Sequence, residues 1–122
     1  MHRSRPGTGT WPWLLQRVTA VLIFIFLGAH LWVLHFAELG KEINFERVTE
    51  RLQSPWFIFL DLTLLALVIY HALYGIRAII IDFGIGVRAQ SVLFWAFIII
   101  GVAGFVLGAN ALLPLIIGKP WF

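Results

Sequence analysis

Residues 55–83 read PWFIFLDLTLLALVIYHALYGIRAIIIDF. A run this long and this apolar crosses a bilayer as a helix, for which about 20 residues suffice. His71 interrupts it. An imidazole in hydrocarbon is costly and needs a partner, which makes it a candidate functional residue. Gly75 and Ala78 follow at i+4 and i+7 and share its helix face. That face is a strip with almost no side-chain bulk, beside a nitrogen able to bind metal. It suits a flat metallated macrocycle better than a hydrogen-bonding side chain.

Two further apolar runs flank this one, at about residues 13–36 and 91–117. The chain is 61% hydrophobic and only 12% charged, with a mean hydropathy of +0.93, where soluble domains carry roughly 25% charged residues. The expectation is an all-α integral membrane protein, a single domain over residues 1–122 with three transmembrane helices. The polar connection over residues 37–54 carries Glu38, Glu42, Glu46 and Glu50 at i+4 spacing. Phe45, Val48 and Leu52 within it fit a short amphipathic surface helix, and a plain solvated loop fits as well.

A net charge of +3 would suggest nucleic acid in a soluble protein. Here the basic residues collect at segment ends and read as topology markers. Arg3, Arg5 and Arg17 at the start, and Arg77 and Arg88 around the second connection, favour an inside N-terminus and an outside C-terminus. Lys41, Arg47 and Arg51 in the first connection oppose that bias. Trp11, Trp13, Trp56, Trp95 and Trp121 fall near span ends, as an aromatic belt would. Met1 to Trp13 shows no cleavable signal pattern. The absence of cysteine excludes disulfides, thiolate nucleophiles and iron–sulfur ligands, and no nucleotide loop or catalytic triad is present. The chain reads as a non-catalytic subunit.

Four histidines remain. His2 lies in the tail, and His35 at the outer end of the first span suits a headgroup-level role. His30 lies roughly 8 Å inside that outer end and His71 roughly 24 Å from the same surface, by helical rise. Some 16 Å apart along the membrane normal, they cannot share one metal. They could each ligate a separate one, with the second axial ligand at each level coming from another chain or copy. For His30 the alternative is a hydrogen bond to a neighbouring carbonyl or to water. Asp61, in the outer region, reads either as a proton relay or as a hydrated or paired group. Gly101, Gly104 and Gly108 share one face of the third helix and permit close packing within the bundle or with a partner. Pro114 and Pro120 mark the end of that span.

Leu15-Gln16-Arg17-Val18-Thr19-Ala20, then Ala29-His30-Leu31-Trp32, Ile43-Asn44-Phe45 and Leu52-Gln53-Ser54-Pro55, and finally the His71 string ending in Asp82-Phe83, run in a fixed order. Over about residues 12–85 this series resembles the cytochrome b membrane anchor of succinate dehydrogenases and fumarate reductases, in the small three-helix type. The resemblance implies a bundle shared with a second small anchor subunit, with soluble flavoprotein and iron–sulfur subunits as further partners. It implies haem b held by His71, the ligand corresponding to the one histidine of one-haem anchors. His30 marks a second haem, as in the long diheme anchors, so the implied assembly is a diheme anchor split over two subunits. Diheme members tend to use menaquinone.

The family's quinone serine, one turn before the position of Arg17, is Trp13 here, and a tyrosine of the sister subunit corresponds to Phe83. Trp13, Arg17 and Asp82 are the quinone candidates. Arg17 and Arg77 are candidates for haem propionates, which arginine grips through bidentate, charge-assisted contacts. Headgroup anchoring by snorkelling is the other reading of both. The implied location is the cytoplasmic membrane of the cell. Two competing readings are a structural anchor without haem and a small transporter subunit using its histidines as proton carriers.

Overall fold

The computed structural model describes residues 9–36, 41–42 and 44–117. His2, Arg3, Arg5, Glu38, Ile43, Pro120 and Trp121 lie outside the described residues. Four helices follow in chain order: α1 (Thr10–His35), α2 (Phe45–Leu52), α3 (Pro55–Asp82) and α4 (Val87–Ile117). Three of them, α1, α3 and α4, are long and apolar enough to cross a membrane. The described residues contain no strand.

Helix boundaries follow local chemistry. Asn44 caps α2, its side chain accepting from the Arg47 N–H at 3.0 Å. Glu46 in the first turn and Arg51 in the last complement the helix dipole. Pro55 occupies the first turn of α3, where its missing N–H costs no helical bond. Gly84, at φ 79°, reverses the chain after α3, and its N–H donates to the Ile81 carbonyl at 2.9 Å. The next helix starts at Val87, one turn before Ser91, because Gln90 Nε2 donates to the Ile85 carbonyl and ties the polar first turn down. Trp95 therefore lies roughly 12 Å inside α4 by helical rise. The stretch of α4 apolar enough to cross a membrane ends at Pro114, as expected, although the helix itself continues to Ile117. A proline so near the end forfeits a single bond of the ladder.

The middle helix in space is α3. It packs on α1 along one side and on α4 along the other, while the α1 and α4 backbones do not approach each other among the described residues. The three spans therefore form a single row. The amphipathic α2 lies across α3 and α4, burying Leu52. Where α3 meets α4, the glycine face of α4 meets α3 of its own chain. A Cβ on Gly101 would sit 3.1 Å from Leu73 Cδ1, and one on Gly108 only 2.7 Å from Leu65 Cδ2. Small residues thus let the backbones close in, the main source of packing energy where no hydrophobic effect operates between helices.

The most buried described side chains are Thr19, Leu52, Leu60, Arg77 and Gln90, three of them polar. Large apolar side chains such as Phe24, Ile99 and Leu107 point outward. Lipid accepts such surfaces without cost, whereas polar groups must turn toward other helices to be satisfied.

Candidate functional site

Both intramembrane histidines lie on the α1–α3 seam, each bonded across it. His71 Nδ1 on α3 meets Thr19 Oγ1 on α1 at 3.1 Å. His30 Nδ1 on α1 meets Asp61 Oδ1 on α3 at 2.9 Å. The two contacts are reciprocal: each helix gives one histidine and one acceptor. Antiparallel packing explains this. Residue numbers across the seam add to a nearly constant total, so Gln16 faces Gly75, Thr19 faces His71 and His30 faces Asp61.

At the His71 level, the Thr19 hydroxyl donates to the Gln16 carbonyl at 3.2 Å, the usual back-bond of a helical threonine. With its proton directed there, Thr19 Oγ1 is placed to accept from His71 Nδ1–H, the tautomer that leaves the lone pair on Nε2. Gln16 Nε2 adds a bond to the His71 carbonyl at 3.1 Å. That amide covers Gly75, where a Cβ would come within 3.2 Å of it. The Gly75 end of the bare strip beside His71 is thus covered by a hydrogen-bonding side chain of α1, against the expectation of open space there, while Ala78 is exposed. Glycine at position 75 serves the helix–helix approach.

At the His30 level, Asp61 is a paired group, one of the readings expected for it. Its carboxylate accepts from the His30 ring, with both side chains about one-quarter to one-third exposed (26% and 30%). The bond is to a carboxylate and not to the carbonyl or water considered from the sequence. A cavity of about 230 Å³ adjoins the pair, lined by Leu34 of α1, Arg51 of α2, Phe57 of α3 and Leu112 of α4. On the α3 ladder Asp61 and His71 are separated by about 15 Å of helical rise, close to the sequence-based spacing.

The remaining candidates scatter. Arg17 is exposed and lies over the Trp13 ring, 5.5 Å from its centroid, so these two are brought together at the start of α1. Asp82 is exposed at the far end of α3, at the same end of the bundle as Trp13 by the antiparallel register. Arg77 is only 3% exposed and lies over Phe94 at 5.4 Å, between α3 and α4. That burial removes the headgroup reading for Arg77. It also sets Arg77 on the other side of α3 from the seam that holds His71. A second cavity, of about 360 Å³, lies there, lined by Tyr70, Tyr74, Arg77, Phe94 and Gly101 among others. Neither histidine borders it.

Among the described residues no three His, Cys, Asp or Glu side chains gather as a metal site. Each imidazole instead has Nδ1 held by an acceptor on the facing helix and no partner on Nε2 among the described residues. Metal-ligating histidines are oriented in this way. The donor set fits one axial position of a haem at each level and no self-contained metal centre.

Three antiparallel spans with polar groups turned inward define a multi-pass helical membrane protein. The family profile described as succinate dehydrogenase/fumarate reductase transmembrane subunit matches residues 1–111. The chain belongs to that family, as a membrane anchor subunit. It is 34% identical over 79 residues to a succinate dehydrogenase hydrophobic membrane anchor subunit of Archaeoglobus fulgidus, covering 65% of this chain and 67% of that one. It is 32% identical over 96 residues to the succinate dehydrogenase 2 membrane subunit SdhC of Mycobacterium tuberculosis, covering 78% and 68%. A succinate dehydrogenase cytochrome b558 subunit of Bacillus subtilis is 30% identical over 105 residues, covering 84% of this chain and 52% of that one.

Proposed function

We propose that this chain is the haem b-carrying anchor of a succinate:quinone oxidoreductase, in a diheme assembly completed by a second small anchor subunit. Electrons from the flavoprotein and iron–sulfur subunits reach quinone, with menaquinone favoured, through the membrane region that this chain helps to build. The observation carrying the reading is the reciprocal pair of seam contacts, which hold two imidazoles by Nδ1 at two depths with each Nε2 lone pair available. The cytochrome b558 name of the Bacillus subtilis relative supports haem b.

Bound haem supplies one-electron transfer. This chain's task is to hold and aim one axial ligand per level, His71 toward the inner side and His30 toward the outer. Arg17, exposed on α1, is the cation favoured for propionates near the inner face, ahead of Arg77, which is buried on the other side of α3 from His71. Trp13, Arg17 and Asp82 are the quinone candidates, of which Trp13 and Arg17 are in contact. The protein resides in the cytoplasmic membrane with its N-terminus inside and C-terminus outside.

A one-haem reading competes because His30 already has a carboxylate partner and needs no metal to be satisfied. Haem content separates the two. In the purified complex, His30→Ala and His71→Ala are each expected to remove a different b-type haem in reduced-minus-oxidised spectra. Retention of all haem by His30→Ala would return the protein to one haem, and a wild-type complex without a b-type band would make it a structural anchor.

A further inference from the structure

The two seam histidines are alike in position and unlike in partner. Thr19, which is 7% exposed, offers His71 a neutral hydroxyl already engaged with the Gln16 carbonyl. Asp61 offers His30 a carboxylate oxygen at the shorter distance of 2.9 Å, beside a cavity whose wall is apolar apart from the pair itself and Arg51. Both acceptors suit the same tautomer, but they do not act equally on the ring. A carboxylate accepting from Nδ1–H pulls that proton more strongly and makes Nε2 a better donor, and such partners are a main lever on metal affinity and potential.

We infer that Asp61 is a positioning residue for His30, setting the ring's tautomer and raising the donor strength of its Nε2 toward the outer iron, while Thr19 sets orientation alone at the inner level. The inference rests on the diheme reading above. It assigns to Asp61 neither a proton path nor contact with quinone. Stronger donation stabilises the ferric state, so Asp61 lowers the potential of the iron it serves indirectly.

The test is redox titration, with low-temperature electron paramagnetic resonance, of the intact complex carrying Asp61→Asn, Asp61→Glu or Thr19→Val. Asparagine keeps an acceptor of the same shape but removes the charge. Asp61→Asn is expected to retain both haems, to shift one of the two titration steps to higher potential, and to alter the low-spin signal lost in His30→Ala. The other step stays in place. Thr19→Val disturbs the complementary step, the one lost in His71→Ala. Asp61→Glu, which keeps a carboxylate, holds the step near its wild-type potential; if Asp61→Asn does not assemble, Asp61→Ser, a smaller neutral acceptor, carries the same test. Unshifted steps in an assembled charge-removing variant, or equal shifts of both, would overturn the role of Asp61 while leaving two haems in place. A wild-type complex in which His30→Ala removes no haem would instead overturn the diheme reading and this inference with it.

Discussion

Gly108 is where a single methyl group matters most. An added Cβ would lie 2.7 Å from Leu65 Cδ2, closer than real contacts allow, so the end of the Leu65 side chain must shift. Overpacking of this kind costs about 1–3 kcal/mol. Gly108→Ala is therefore expected to lower the thermal stability of the purified complex, and Gly108→Leu to prevent its assembly. Gly75→Ala acts by a different route, since the new Cβ meets Gln16 Nε2 at 3.2 Å and strains its bond to the His71 carbonyl. Its expected cost is about 1 kcal/mol, the net worth of one hydrogen bond, read in the same melting experiment. From the sequence alone Gly75 reads as room left for a cofactor. Only the register between two helices shows that the room is taken by Gln16, which stands 59 residues earlier in the chain. The same holds for Asp61. Its partner lies across the seam, and no pattern within α3 points to it.

At the scale of elements, α2 shows how far periodicity reaches. Phe45, Val48 and Leu52 suggest one buried face, and the helix forms with Leu52 inward and Phe45 largely exposed. Its stability depends on the Asn44 cap, because eight residues are too few to hold a helix by propensity. Asn44→Ala is expected to weaken it by about 1 kcal/mol, seen as faster amide exchange across residues 45–52 with the spans unchanged. The three long helices are legible because bilayer thickness imposes a length that few other structures need. Their ends are less so. Hydropathy starts the third span at Ser91, but the fold extends it to Val87 through a glutamine bond to the preceding loop that apolar patterning does not register.

The whole molecule is a row with α3 in the middle, and the backbones of its outer helices do not approach each other among the described residues. A row leaves both broad faces to something else, lipid or protein. Gln16 Oε1 is buried without a partner among the described residues, an acceptor that a donor from outside the chain would satisfy. Expressed alone in detergent, the chain is expected to self-associate, and to become a defined species only with a second anchor subunit. Light scattering after size exclusion distinguishes the two. Orientation is testable without background because the chain has no cysteine. A membrane-impermeant maleimide is expected to label Lys41→Cys in intact cells and Arg88→Cys only after permeabilisation. The reverse pattern would invert the topology.

The reciprocal seam has one more consequence. The interval between the two imidazoles is set by the rise of two continuous helices, about 15 Å for Asp61 to His71, and not by how separate subunits dock. The chain acts as a covalent gauge: a loosely seated partner changes what meets each ring but not the interval between them. Such a gauge has a tolerance of less than one residue. A single alanine inserted between Thr19 and His30 would keep the helix, turn everything beyond it by about 100°, and pull a histidine away from its acceptor whichever contact survives. Lengthening either connecting loop, by contrast, would leave the interval unchanged.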